Sequence, residues 1–221
     1  MKRQLLQSGF SLIEIIVALG LFTVVITVAV GALLAMVGTN QQSQREQSVM
    51  TNLSFALDSM TREIRTGSKY YCASVPNLIG TGGDKKIFKD GYDLSYLGSN
   101  TNDCENGNDS DKNYHGLTFL EGGQSITNAP DTRIVYFYDK ANAQLMRRIS
   151  GEDAQPITSS SSIKITDAQF FVTGSTALEG SGDTEYDQPA VTIHIKASDP
   201  TDPTGKEYEI ETTVTQRVLD I

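Results

Sequence analysis

The chain has 221 residues, two histidines and a formal net charge of −9. Its basic residues form no continuous stripe, since Lys85-Lys86 and Arg147-Arg148 are isolated pairs in an acidic sequence, and this disfavours direct binding of nucleic acid. There is no nucleophile elbow and no phosphate-binding loop, so we expect neither an enzyme nor a cofactor.

A long apolar run lies close to the N-terminus. Residues 10–37 contain a single charged residue, Glu14, and no proline. At about 1.5 Å per residue this run reaches roughly 40 Å as a helix, which is longer than the hydrocarbon core of a bilayer. The sequence therefore predicts one membrane-spanning helix.

The residues before this run predict its orientation. Residues 1–9 are polar and include Lys2 and Arg3. Positive charge before a span keeps that end in the cytoplasm, so we expect an extracytoplasmic C-terminal part. Two alternatives remain: a secretory signal peptide cut near Ala29-Val30-Gly31, and a plain single-pass anchor. Both alternatives are less favoured, because the apolar run is long and contains the acidic residue Glu14.

Glu14 is the most unusual residue of the predicted span. An ionised side chain in lipid costs on the order of 2.5–3.5 kcal/mol or more unless it is paired. After Arg3, the next basic residue in the chain is Arg45. We therefore expect the compensating cation to come from a binding partner.

Residues 2 to 40 resemble the class III signal of type IV prepilins and type II secretion pseudopilins. The residues that carry the resemblance are Lys2-Arg3 followed by Gly9-Phe10-Ser11-Leu12-Ile13-Glu14-Ile15-Ile16-Val17-Ala18-Leu19. The resemblance implies that prepilin peptidase cuts after Gly9 and methylates the new N-terminal amine of Phe10. Glu14 would then be the fifth residue of the mature chain, where the family places a glutamate that meets the N-terminal amine of a neighbouring subunit.

The resemblance also implies the partners and the location of the chain. The partners would be prepilin peptidase, other pilin or pseudopilin subunits and the membrane. Before assembly the chain would be a single-pass protein of the cytoplasmic membrane, and afterwards part of a pilus or pseudopilus fibre. Gly31 stands where major pilins often have proline, which favours a minor subunit. Loss of Lys2 and Arg3 with the leader would change the net charge from −9 to about −11.

The helix is predicted to continue beyond the membrane through residues 38–67. This stretch has one stripe of apolar residues at three- and four-residue steps, which is typical of an amphipathic helix packed on a core: Val49, Leu53, Ala56, Leu57, Met60 and Ile64. Gly67 is the predicted stop. The segment with Asp58, Arg62 and Glu63 on its polar side is similar to W-type minor pilins and J-type minor pseudopilins.

Residues 68–221 are predicted to form a β-rich head. Alternation of apolar and polar residues predicts antiparallel strands at 116–120, 133–139, 143–149, 163–173, 190–197 and 208–218, with a hairpin turn at 140–142. Between them lie loops rich in Gly, Ser, Asp and Asn. His194 is predicted to be a solvated residue on the polar face of its strand.

The fold class expected from these elements is α+β, with a long helix packed on a mainly antiparallel sheet. The domains are a leader (1–9), a membrane and assembly helix (10–37), its amphipathic continuation (38–67) and the head (68–221). The function expected is that of a minor pilin or pseudopilin. The alternative is a membrane-anchored extracytoplasmic binding protein with a β-rich head, and a hydrolytic enzyme on the same anchor is third.

Two features of the head concern cysteine and acidic residues. Cys72 and Cys104 both lie in the predicted extracytoplasmic part, which favours a disulfide over two free thiols. The loop at residues 102–111 is rich in oxygen ligands and is a weak candidate for Ca²⁺ binding through Asp103, Glu105, Asp109 and Asp111. It matches an EF-hand poorly, so a solvated acidic loop without metal is the favoured interpretation.

Overall fold

The computed structural model describes residues 9–73, 94, 97, 100–104, 116–123, 133–175, 188–202 and 205–217. Helix α1, Leu12–Thr66, is one uninterrupted helix. The chain divides into two compact units at Glu46 and Gln47, within this helix. Every residue from 11 to 44 is exposed, whereas a buried stripe begins at Val49. The predicted helix is confirmed, and it begins and ends within two residues of the predicted bounds.

Among its described residues, the head has eight strands in two antiparallel sheets. The five-stranded sheet has the order β1-β2-β3-β4-β5, and the three-stranded sheet has the order β6-β7-β8. The strands are β1 (Ser68–Ala73), β2 (Gly116–Leu120), β3 (Arg133–Asp139), β4 (Gln144–Ile149), β5 (Gln155–Pro156), β6 (Lys164–Thr173), β7 (Ala190–Ser198) and β8 (Glu207–Thr215). The α+β class with a helix packed on a β-rich head is confirmed.

The predicted strands agree closely with the observed ones, and two of their ends differ. Ala143 was expected to begin β4, but it has a φ of 53° and belongs to the turn, so the strand begins at Gln144. A left-handed residue departs from the extended conformation of a strand, and at Ala143 it forms part of the hairpin turn. The last strand was predicted to reach Val218, but it ends at Thr215, and the Arg217 N–H donates to the Arg65 carbonyl oxygen of α1 instead; Val218 lies outside the described residues. Strands β1 and β5 were not predicted.

One apolar cluster joins α1 to both sheets. The helix contributes Val49, Leu53, Met60 and Ile64, and each of these side chains is fully buried. The five-stranded sheet contributes residues such as Phe119 and Tyr136, and the three-stranded sheet contributes residues such as Phe170 and Ile193. Burial of such side chains contributes about 1.5–3 kcal/mol each.

The five-stranded sheet is covered on its second face as well. Val135 and Phe137 of β3 point away from α1 and form a second apolar cluster with Ala73, Leu94 and Leu97. Because β3 is buried on both faces, its sequence is almost continuously apolar rather than alternating.

The C-terminal end of α1 is packed tightly. The Gly67 N–H donates to the carbonyl oxygens of Glu63 and Ile64 at 3.0 Å, and the helix ends at Thr66, immediately before this predicted stop. The Tyr70 hydroxyl donates to the carbonyl oxygens of Ile64 and Gly67 at 2.6 and 2.8 Å, and burial raises the pKa of this phenol. A Cβ on Gly67 would lie 2.4 Å from Cδ2 of Phe119. Only glycine fits here without displacing a buried ring.

We expect Gly67→Ala to lower the free energy of unfolding by about 1–3 kcal/mol, because the new methyl group overpacks the Phe119 ring. Thermal unfolding of the full chain in detergent, followed by circular dichroism, measures the change. Gly38→Ala is the matched control, since a Cβ at Gly38 meets nothing within 4 Å. Equal melting temperatures for the two variants would contradict the packing described here.

Candidate functional site

The N-terminal part of α1 is the first candidate site. An 18-residue window of this helix has a mean hydropathy of 2.7, and none of it is buried. The helix is the only one among the described residues that is long and apolar enough to cross a membrane. A single membrane span near the N-terminus is compatible with this finding.

The predicted cleavage site lies just before this helix. Gly9 and Phe10 are outside α1, which begins at Leu12. The Phe10 side chain is 78% exposed, and a Cβ on Gly9 would meet nothing within 4 Å. The bond between these two residues is therefore in non-helical backbone.

Glu14 lies in the first turn of α1. Its N–H donates to the carbonyl oxygen of Ser11 at 3.0 Å, and the Ile15 N–H donates to the same oxygen at 3.3 Å. Ser11 is thus the N-cap, and Glu14 is three residues later, in the pattern of a capping box. A carboxylate at this position also interacts favourably with the helix macrodipole.

The surroundings of Glu14 are apolar. It lines a shallow groove on one face of the helix together with Phe10, Ile15, Ala18, Leu19 and Phe22. Among the described residues, the Glu14 carboxylate has no hydrogen bond and no ion pair. An acid in an apolar groove, with two aromatic rings at its ends, suits a cationic group brought by another molecule.

The second candidate site is an ion pair that sequence reasoning missed. Arg147 of β4 donates from Nε and Nη2 to the two carboxylate oxygens of Glu63, both at 3.0 Å. The Tyr136 hydroxyl of β3 donates to the same carboxylate at 2.6 Å. We call these three residues the Glu63 cluster. Its Arg147 and Glu63 side chains are only 27% and 28% exposed.

The electrostatics of the Glu63 cluster follow from its partial burial. Burial raises the pKa of Tyr136, and the hydrogen bond to Glu63 raises it further. Burial alone would lower the pKa of Arg147, but its bond to the Glu63 carboxylate raises it above the usual value. Glu63 is therefore not simply a residue of the polar helix face: it fixes the helix against β3 and β4. The neighbouring pair Asp58–Arg62 does lie on the exposed face.

The predicted disulfide is confirmed, and it forms part of a junction between the two sheets. Cys72 and Cys104 are bonded, with their Cα atoms 5.8 Å apart. The Cys72 N–H donates to the Asn102 carbonyl oxygen at 3.1 Å, and the Cys104 N–H donates to the Val172 carbonyl oxygen at 3.0 Å. Residues 100–104 therefore connect β1 of one sheet to β6 of the other. On the loop-entropy account, a bond that closes a loop of this size stabilises by roughly 3–4 kcal/mol.

The calcium candidate gains no support from the described residues. The Asp103 carboxylate accepts a hydrogen bond from the Ser175 N–H at 2.8 Å, so it takes part in the junction between the sheets. Glu105, Asp109 and Asp111 lie outside the described residues. In the part of the chain that the structure describes, no group of three or more acidic, histidine or cysteine side chains is arranged to hold a metal ion.

His194 is not the solvated residue that was predicted. Its side chain is only 14% exposed, and Nε2 lies 2.5 Å from Oε1 of Glu209 on β8. This hydrogen bond lowers the pKa of Glu209. Lys196 contributes a second, longer contact of 3.7 Å to the same oxygen. The register of β7 and β8, which sequence alone does not give, brings these side chains together.

Arg147 and Arg148 were predicted to be an isolated basic pair on the surface, and this prediction is wrong. Arg147 belongs to the Glu63 cluster, and Arg148 is 1% exposed. Neither residue provides a free basic surface.

Comparison of the chain with family models, curated proteins and solved structures finds no match.

We expect Glu63→Ala to lower the free energy of unfolding by about 1–3 kcal/mol, because it leaves a partly buried guanidinium and a buried phenol without their acceptor. Asp58→Ala is the control, since the Asp58–Arg62 pair is 70–80% exposed and such pairs contribute less than about 1 kcal/mol. Urea unfolding of the full chain in detergent measures both variants. Similar losses in the two variants would mean that the Glu63 cluster does not fix the helix.

Proposed function

We propose that this chain is a minor pilin or pseudopilin precursor. In this proposal prepilin peptidase removes residues 1–9 and methylates Phe10, and the mature subunit joins a type IV pilus or a type II secretion-like pseudopilus through α1. The single observation that carries the proposal is the position of Glu14: an acid without a partner among the described residues, in the first turn of an exposed apolar helix.

The local structure around Gly9 supports processing at that bond. A peptidase needs an accessible, non-helical segment of its substrate, and residues 9–11 precede the helix. Cleavage there would also convert the amide nitrogen of Phe10 into a free amine, which is a cation at neutral pH. The reaction thus creates the positive charge that an acid in an apolar environment requires.

The pairing of this amine with Glu14 of a neighbouring subunit gives α1 its role in assembly. A carboxylate and an ammonium in a low-dielectric environment attract each other strongly, but most of this gain offsets their desolvation. The pair therefore contributes more to the register between subunits than to the stability of the fibre. The apolar residues around Glu14 then pack against other helices.

We expect the native protein to begin with a methylated Phe10 and Gly9→Leu to remain a full-length precursor. Because a side chain at Gly9 meets nothing within 4 Å, a block in cleavage would reflect recognition by the peptidase rather than misfolding. N-terminal mass spectrometry of protein from producing cells measures both. The control, Gly20→Ala, adds a methyl group at a similarly open position.

Two results of this experiment would overturn the proposal. An intact Met1 in the native protein would favour the membrane-anchored binding protein with a β-rich head. Normal trimming of Gly9→Leu would contradict recognition of the glycine.

We expect Glu14→Val and Glu14→Gln to be cleaved normally but to be lost from complexes with other subunits, because neither side chain carries the negative charge that pairs with the amine of the neighbour. Cross-linking in membranes of producing cells, followed by mass spectrometry, measures subunit contacts. Thr23→Val is the control, since the Thr23 hydroxyl bonds only to the Gly20 carbonyl oxygen of its own helix. Undiminished contacts in both Glu14 variants would rule out the pairing.

A further inference from the structure

The outer edge of the three-stranded sheet is formed by β8. This strand pairs with β7 over nine consecutive residue pairs, Glu207 to Thr215, without a register shift. Among the described residues, no strand pairs with its other side. The edge is therefore long and regular, and it offers the backbone groups on that side to another chain.

The outward face of β8 carries a row of carboxylates. Glu207, Glu209 and Glu211 alternate with half-buried residues, and all three are exposed. Glu209 already contacts His194 at 2.5 Å and Lys196 at 3.7 Å within the sheet. Within the part of the chain that the structure describes, the carboxylates of Glu207 and Glu211 make no ion pair. Two uncompensated negative charges, four residues apart, thus lie on one face of the edge.

The inward face of β8 is incompletely covered. On β7 the side chains of Val191, Ile193 and Ile195 are at most 1% exposed. On β8 the side chains of Tyr208 and Ile210 pack on the same core but are only half-buried. The apolar core thus reaches the edge of the sheet and remains partly open there.

Edge strands are usually protected against pairing by short length, proline, a bulge or charge. Strand β8 has nine residues, no proline and no bulge, so charge is the one of these protections it uses. Two β8 edges from two copies of the chain would place rows of like charges opposite each other, which disfavours self-pairing. The same charges favour a basic strand.

We propose that β8 is a docking edge for a β-strand of a different protein, which extends the three-stranded sheet by one strand. The partner strand alternates between two faces: basic residues opposite Glu207 and Glu211, and aliphatic residues that cover Tyr208 and Ile210. Main-chain hydrogen bonds hold the strand, and the two faces select its sequence. This inference concerns the head alone and does not depend on the role of α1 in a fibre.

The geometry of a strand fixes the spacing in the partner. At about 3.4 Å per residue, Glu207 and Glu211 lie roughly 14 Å apart along the edge. The basic residues must therefore be separated by three residues, of which the first and third are aliphatic. A segment with this pattern need be no longer than an average strand of about 5–6 residues.

The test uses a short fluorescent peptide with two lysines at this spacing, valines on its other face and threonines elsewhere. Its binding to the full chain in detergent is followed by fluorescence anisotropy, and hydrogen exchange is measured on the backbone amides of 207–215. We expect binding to slow exchange in β8. The double variant Glu207→Gln/Glu211→Gln should bind about three- to tenfold more weakly, because two cross-strand charge pairs are lost.

Two controls separate strand pairing from general attraction to an acidic protein. The double variant Glu121→Gln/Glu152→Gln removes the same charge from exposed positions outside β8 and should bind the peptide as the wild type does. A peptide in which prolines replace the valines keeps the charge but cannot pair, and it should not slow exchange in β8.

Three results of the peptide experiment would overturn the inference. These are equal binding of the proline peptide, equal weakening in both double variants, and no change of exchange at 207–215 on binding. Self-association of the chain through β8, detected by cross-linking at that edge, would contradict the charge argument and also overturn it.

Discussion

The head is organised by the requirement that one stripe of α1 be buried. Val49, Leu53, Met60 and Ile64 lie at steps of four or seven residues, so they form one face of the helix, and residues of both sheets contact this face. The two sheets share no strand. They are joined by α1, by the 100–104 segment and by direct contacts, such as the bond of the Ile165 N–H to the Ala143 carbonyl oxygen at 2.9 Å. Without the stripe, the apolar faces of both sheets would be exposed to water.

An apolar stripe determines which face of a helix is buried. It specifies the position of the helix along its own axis less strongly than hydrogen bonds and ion pairs do. Those contacts are concentrated at the C-terminal end of α1: the Glu63 cluster, the Tyr70 hydroxyl on the last carbonyl groups, and the Arg217 N–H on the Arg65 carbonyl oxygen at 2.7 Å. Hydrogen bonds lose most of their strength with a small displacement, whereas apolar contacts adapt. The last turn of the helix therefore sets its position relative to the strands.

The sequence predicted the elements in which apolar residues recur at one regular spacing. The helical stripe predicted α1, and strict alternation predicted β7, whose inward residues are buried at every second position. Strand β1 lacks such a pattern, since its residues have mixed burial and Lys69 has a φ of 54°. It is a strand because β2 pairs with it, and pairing is not a local property. Strand β5 has only two residues and carries no period at all.

The candidate site at the N-terminus was visible in the sequence because all of its residues are neighbours along the chain. The Glu63 cluster was not, because Tyr136 and Arg147 are 73 and 84 residues away from Glu63. The partners of Arg133 are also distant in the sequence and could not be predicted from it. Arg133 is 1% exposed, and its guanidinium donates to the carbonyl oxygens of Lys69 and Asn100. Arginine is expected at the surface unless its partners are known, and only the fold brings those partners together.

Glu63 and Glu14 lie at the two ends of one helix, and each carboxylate needs a partner for its charge: Glu63 because it is only 28% exposed, and Glu14 because its neighbours are apolar. The fold of the head supplies Glu63 with a guanidinium and a phenol, so its charge is compensated as soon as the chain folds. The described residues supply nothing to Glu14, whose neighbours on the helix face are aliphatic or aromatic. Under the proposed function this difference separates folding from assembly. The first charge is compensated within the subunit, and the second stays uncompensated until another subunit brings its amine, so the helix gains its full stability in the membrane only in a complex.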